Sequence, residues 1–203
     1  MKKTFKYLNS LFIFTLIIVL SACKPKVEKY YDQFGNLSSE ISTNKKGLPH
    51  GKAIFYFNDG RTVLQTSEYV NGKLEGKNTR WYFLGNKEFE EIYKDGLLNG
   101  TKKAWDEEGN LILEEEYNDG LLNGISKKWY SNGQIKIDAY FIDGLPHGKW
   151  IYYAPNGLQI GYAEYDHGNG KQVSLNLDGS VKDVINFIDG EKVEEFDTIT
   201  TEH

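Results

Sequence analysis

Short runs of alternating apolar and polar residues fill the chain from about residue 27 to residue 190, and glycines punctuate them at fixed intervals. Gly96-Leu97-Leu98-Asn99-Gly100 returns as Gly120-Leu121-Leu122-Asn123-Gly124 and again as Gly144-Leu145-Pro146-His147-Gly148. A first glycine register falls at 47, 72, 96, 120, 144, 168 and 190, and a second at 35, 60, 85, 109, 133, 157 and 179. A third, at 51, 76, 100, 124, 148 and 170, lies nine residues ahead of its partner in the second. Internal repetition on this scale decides the fold before any local reading does. The segments between glycines have the length of a strand plus its turn residues. Asn-Asp-Gly, Lys-Asp-Gly, Ser-Asn-Gly and Pro-Asn-Gly are hairpin turn chemistry, because glycine takes positive φ without steric cost. Turns this short require antiparallel neighbours. The pattern predicts an all-β fold: an elongated antiparallel meander of about seven hairpin repeats of 22–25 residues, forming a single-layer sheet. Gly72, Gly76, Gly96, Gly100, Gly120, Gly124, Gly144 and Gly148 are its structural turn glycines.

Two aromatic registers run through the repeats. Trp81, Trp105, Trp129 and Tyr153 stand five residues after a turn glycine, with Tyr31 and Tyr56 in the same place earlier and Leu175 in the last repeat. Tyr69, Tyr93, Tyr117, Phe141, Tyr165 and Phe187 form the other register. Both are expected to stack as ladders on one face, ring against neighbouring ring or turn glycine. The opposite face is expected to carry Lys102, Lys128, Glu114, Glu116 and Asp138. Should the sheet bind anything, Trp81, Trp105, Trp129, Tyr153, Tyr93 and Tyr117 are the candidate contacts, since exposed aromatic rows mark binding surfaces. The array is expected to span 30–190, with atypical ends that act as caps. Residues 23–29 are expected to be a tether and 191–203 a frayed acidic tail.

The first 22 residues read as a leader. Lys2, Lys3 and Lys6 precede an apolar run from Leu11 to Leu20 that is short for a bilayer span and suited to a signal peptide. The run ends in Leu20-Ser21-Ala22-Cys23, which resembles the bacterial lipobox. That resemblance implies cleavage before Cys23 and acylation of its thiol and amino group. The chain would then be an exported protein held by lipid at a bacterial cell membrane or outer membrane. Cys23 is the single cysteine, so no internal disulfide forms.

Charge narrows the partners. Three of the 24 basic residues lie in the leader, so its removal takes the balance from −5 to about −8. Nucleic acid needs clustered Lys and Arg and is not expected. Four histidines without a partner cysteine give no zinc spacing, and no metal site or cofactor is expected. His50 and His147 occupy identical Gly-Leu-Pro-His-Gly turns and read as repeat positions. Glu90 and Glu114 are repeat equivalents on a strand, not a catalytic pair. No nucleophile elbow, P-loop or dinucleotide fingerprint occurs, so the chain reads as no enzyme.

The phrase Gly-x-x-x-Gly-x-x-x-x-Trp-Tyr-x-x-Gly, closing in Glu-x-x-Tyr-x-x-Gly, resembles the bacterial variant of the MORN (membrane occupation and recognition nexus) repeat. Gly124 to Gly133 and Glu114 to Gly120 carry the likeness, which extends over roughly residues 27–190. It departs at Asp106, which stands where Tyr82 and Tyr130 stand, and at Trp150, three positions ahead of Tyr153. The resemblance implies a protein-binding scaffold, and such proteins include the YwqK-type antitoxin family, assigned to neutralising partner toxins. Gly148 to Tyr153 is also similar to cell-wall choline- and glucan-binding repeats, which would make a glycan the alternative partner.

Overall fold

The structure, a computed structural model, describes residues 26–193. The expected leader, Cys23 and residues 194–203 of the acidic tail lie outside the described residues. Among the described residues sixteen strands form one antiparallel sheet in meander order, from Lys26–Tyr31 to Glu191–Val193. There is no helix among the described residues. The sheet opens four residues ahead of the expected array start and takes in three residues of the expected tail, Glu191 pairing with Ile188 and Val193 with Asn186.

Two turn types alternate along the chain from Phe57 onward, after two turns at Asp32 and Asn44 that are both closed by a single positive-φ glycine. At one edge the turns are Asn71-Gly72, Asp95-Gly96, Asp119-Gly120, Asp143-Gly144, His167-Gly168 and Asp189-Gly190. Their first residues have φ of 48–52° and their glycines 83–88°. Positive φ at both positions defines a type I′ turn, whose twist matches that of the flanking strands. At the other edge a type I turn is closed by a positive-φ glycine: Gly109 N donates to Asp106 O (3.0 Å) and Asp106 N to Asn110 O (3.0 Å). The same pair of bonds recurs at Tyr82, Tyr130, Ala154 and Asn176.

The hairpins are tied to one another at the type I′ edge. Gly96 N donates to Leu74 O, Gly120 N to Leu98 O and Gly144 N to Leu122 O, each at 2.8 Å. Each of these turns therefore lies back on a strand of the preceding hairpin, as do those at Gly72 and Gly168, while Gly190 N reaches Gly168 O of the preceding turn (3.0 Å). The second glycine of each Gly-x-x-x-Gly phrase makes this possible, because the strand register shifts there, as between Leu122 and Ser126. Side chains reinforce the backbone bonds with one rung per repeat. Asn99 Nδ2 donates to Asp119 Oδ1 and Asn123 Nδ2 to Asp143 Oδ1, both at 2.8 Å. In other repeats the turn amide is the donor: Asp95 N to Glu75 Oε2 (2.7 Å), Asp189 N to Asn169 Oδ1 (3.2 Å).

With one layer, burial must come from within a face. Pairing runs Ala53–Ser67–Asn78–Glu91 in one stretch of the sheet and Glu115–Ser126–Ala139 in another. Of these Ala53 and Ser67 are wholly buried, and Asn78, Glu91, Ser126 and Ala139 nearly so. Side chains on the same face fold over the row: the Tyr93 and Tyr117 hydroxyls reach Glu91 (3.0 Å) and Glu115 (2.9 Å) two residues along their strands.

Gly168 offers a test of turn stacking. A Cβ there would lie 2.7 Å from Gly190 N at φ +85°, whereas one on Gly133, at φ +81°, would meet nothing within 4 Å. Gly168→Ala should cost about 3 kcal/mol and Gly133→Ala about 1 kcal/mol of stability, the difference being backbone collision on top of the shared strain. Chemical denaturation of the two variants against the wild type measures it.

Candidate functional site

The two aromatic registers occupy opposite faces, which corrects the expectation of a common one. Tyr117 pairs with Gly100, and Trp105 lies five residues beyond Gly100. An odd separation reverses the direction of a side chain on a pleated strand. Contacts agree with the parity. Tyr93 bonds Glu91, whereas Trp81 lines a cleft with Thr66, Thr79, Lys77, Lys87 and Glu90. Lys87 Nζ in turn sits 5.3 Å above the Trp105 ring. The candidate set therefore divides: Trp81 and Trp105 on one face, Tyr93 and Tyr117 on the other. By the same register Trp129 and Tyr153 join the tryptophan face.

The charged residues divide as well. Lys102 pairs with Glu115 and Lys128 with Leu113, on the Tyr117 face, while Glu114 pairs with Lys103 and Asp138 with Lys127 on the Trp105 face. Glu116, adjacent to Tyr117 on its strand, points with Glu114. Nor do the tryptophans stack ring on ring. Successive members are two strands apart, about 9.6 Å, and a lysine occupies the space between Trp81 and Trp105. Rings do meet on the opposite face toward the C-terminal end, where the displaced Trp150 bridges Phe141 (4.8 Å) and Tyr165 (5.1 Å), and Tyr165 reaches Phe187 (5.6 Å) across side-chain-free Gly170. The position of Trp150 thus converts a polar row into an aromatic cluster.

Trp81, Trp105, Trp129 and Tyr153 are all partly exposed. Tyr82 and Tyr130 fix the register from the strand ends, their hydroxyls donating to Trp105 O (3.1 Å) and Tyr153 O (2.9 Å) of the following hairpin. Asp106 in the equivalent place instead accepts from Asn110 within its own turn. Between the rings runs a ladder of ion pairs: Lys29–Glu40 (2.7 Å), Lys77–Glu90 (3.3 Å), Lys87–Glu90 (2.7 Å), Lys103–Glu114 (3.0 Å) and Lys127–Asp138 (3.6 Å). Hydrogen bonds from Lys29 and Lys87 hold the Glu40 and Glu90 carboxyls below the usual range. Exposed pairs of this kind add little stability, about 0–1 kcal/mol each. Their regular placement instead gives the face alternating charge around aromatic anchors. A cleft of about 370 Å³ lies beside Trp81 on this face.

The buried row on the Tyr117 face is hydrogen-bonded within itself. Ser67 Oγ and Gln65 Nε2 both donate to Asn78 Oδ1, and Asn78 Nδ2 donates to Glu91 Oε2. Lys102 Nζ lies 3.4 Å from the other Glu91 oxygen. Burial, then the bond to Glu91, pushes the Tyr93 phenol up to about 12, and Tyr117 stands equally high beside Glu115. Sequence reading missed this network because its members, Ser67, Asn78 and Glu91, are polar residues that look like solvent positions. The histidines were missed for a related reason: His147 and His167 stand 20 residues apart yet bring their rings to 4.7 Å.

Among known families, the MORN repeat variant matches residues 98–119 and 122–143. No curated protein matches the chain. The matched stretch is the pair of repeats holding Trp105, Tyr117 and Trp129.

The phenols set an alkaline limit. A folded pKa above the unfolded value of about 10 means that the contribution of neutral Tyr93 and Tyr117 is complete below pH 10 and disappears as pH rises through about 12. Melting temperature should fall more steeply over that interval in the wild type than in a Tyr93→Phe, Tyr117→Phe variant. The variant should start lower at pH 8 by about 1 kcal/mol for each lost hydrogen bond.

Proposed function

We propose that the chain is a repeat-based protein-binding module, lipid-anchored at a bacterial envelope membrane through Cys23, that occludes a partner with its tryptophan face. The observation that carries this reading is the asymmetry of the two faces: one row of polar groups is internally satisfied, while the other presents Trp81, Trp105 and Trp129 among paired charges. Aromatic anchors inside a charged, hydrated surround are the composition of energetically concentrated protein interfaces. The MORN-type repeats at residues 98–143 support a binding module, and a module of this kind needs no chemistry of its own. An antitoxin or immunity role is the specific form of the proposal, with a toxin as the partner whose active surface is covered. A cell-wall glycan is the second reading, favoured by one feature: Trp81 lies beside the Thr66 and Thr79 hydroxyls and the Glu90 carboxylate, which suits the apolar face and hydroxyls of a sugar.

Immobilised protein exposed to an envelope extract of the producing cell should retain one protein near one-to-one. Replacing Trp105 or Trp129 by Ala should each weaken capture by about 2 kcal/mol, roughly thirtyfold, with unchanged melting. Retention of glycan, or of nothing, overturns the protein-binding reading. The anchor has its own readout: Cys23→Ser should move the protein from the membrane fraction to the soluble fraction, and a variant that stays on the membrane overturns lipidation at that residue.

A further inference from the structure

The rung between the fourth and fifth of the type I′ turns differs in kind from the others. His147 holds the position of Asn99 and Asn123, and His167 the position of Asp119 and Asp143. His167 N donates to His147 Nδ1 at 3.4 Å, so the ordinary rung is present. Added to it is Asp166, whose Oδ1 lies 2.6 Å from His167 Nδ1 and 3.5 Å from His147 Nδ1. The ligand atoms of the three side chains all fall within 4.8 Å of one another.

We propose that His147, Asp166 and His167 bind a borderline divalent cation of the Zn²⁺ type, clasping one hairpin to the next. Two imidazoles and one carboxylate form a donor set suited to zinc, and a poor one for Mg²⁺ or Ca²⁺, which take oxygen. Metal–ligand bonds of about 2.0–2.1 Å in a tetrahedron place donors about 3.4 Å apart. The present separations of 2.6 and 3.5 Å bracket that spacing. Asp166 and His167 are largely exposed and free to adjust, while His147 is held in its strand with 30% of its side chain accessible; a metal on His147 Nδ1 takes the lone pair that now accepts the long 3.4 Å bond from His167 N and so replaces that bond. Three protein ligands leave a fourth position for water.

The chain contains its own control. His50 stands in an identical Gly-Leu-Pro-His-Gly turn and accepts from the Asn71 amide at 3.4 Å, the same rung geometry. Its neighbours in the turn are Val70 and Asn71, where the later site has Asp166 and His167. The same backbone thus presents one histidine alone in one repeat and a full donor set in another.

Titration of the full chain in detergent with ZnSO₄ should saturate at one equivalent. The ring resonances of His147 and His167 should shift while those of His50 stay in place. His147→Ala and Asp166→Asn should each weaken binding at least about tenfold, the scale seen even for outer-shell losses, whereas His50→Ala should bind as wild type. Zn²⁺ should raise the melting temperature, MgCl₂ should not compete, and affinity should fall on acidification because imidazole must be neutral to coordinate. Absence of saturable binding up to millimolar Zn²⁺ overturns the proposal. So does binding undiminished in both the His147 and Asp166 variants, or ring shifts at His50 equal to those at His147.

Discussion

The backbone hydrogen bond from each turn glycine to a carbonyl of the preceding hairpin is the constraint on which the array depends. Gly120 N to Leu98 O is one instance, and the geometry recurs along the edge. A single-layer sheet has no facing layer to bury against, so neighbouring hairpins must supply each other's missing partners. That requirement explains the Gly-x-x-x-Gly phrase. The first glycine closes the type I′ turn and donates the bond, and the second lets the strand change register so that the following turn can lie over it. It also explains the residue before the second glycine. His50, Glu75, Asn99, Asn123 and His147 all carry a polar group that meets the next turn.

Within that frame the buried row changes character along the sheet. From Ser67 to Lys102 it is a hydrogen-bonded chain built on Asn78 and Glu91, satisfied by Tyr93 and Gln65. Burial without partners would be costly for such groups, so the network specifies one register rather than adding much net stability. Beyond Ser126 the row becomes Ala139, Trp150 and Ala163, and aromatic packing replaces it. The face bearing Trp81 and Trp105 buries Thr79 and Val173 and otherwise carries ion pairs between partly exposed rings.

Much of the fold was legible in the sequence because the glycine registers state turn positions directly, and turn length dictates antiparallel order. The assignment of faces was not legible by inspection of aromatic spacing alone. Tyr117 and Trp105 both look like core residues, and only counting parity from Gly100 separates them. The polar row was hidden because Asn78 and Glu91 are types usually found in solvent, and their burial follows from tyrosines leaning along the strand. The His147–Asp166–His167 cluster was hidden by distance in sequence, although the 20-residue interval from Asn99 to Asp119 is the same interval that joins the two histidines.

The two outermost strands carry a further consequence. An open sheet ends in unpaired amides and carbonyls that can recruit another chain by strand addition. Here the first described strand places Lys26, Glu28 and Lys29 along its length, and the last described strand carries Glu191 and Lys192. Both borders are therefore poor templates for growth. Repeats can accumulate in such a chain without the product becoming a seed for fibres.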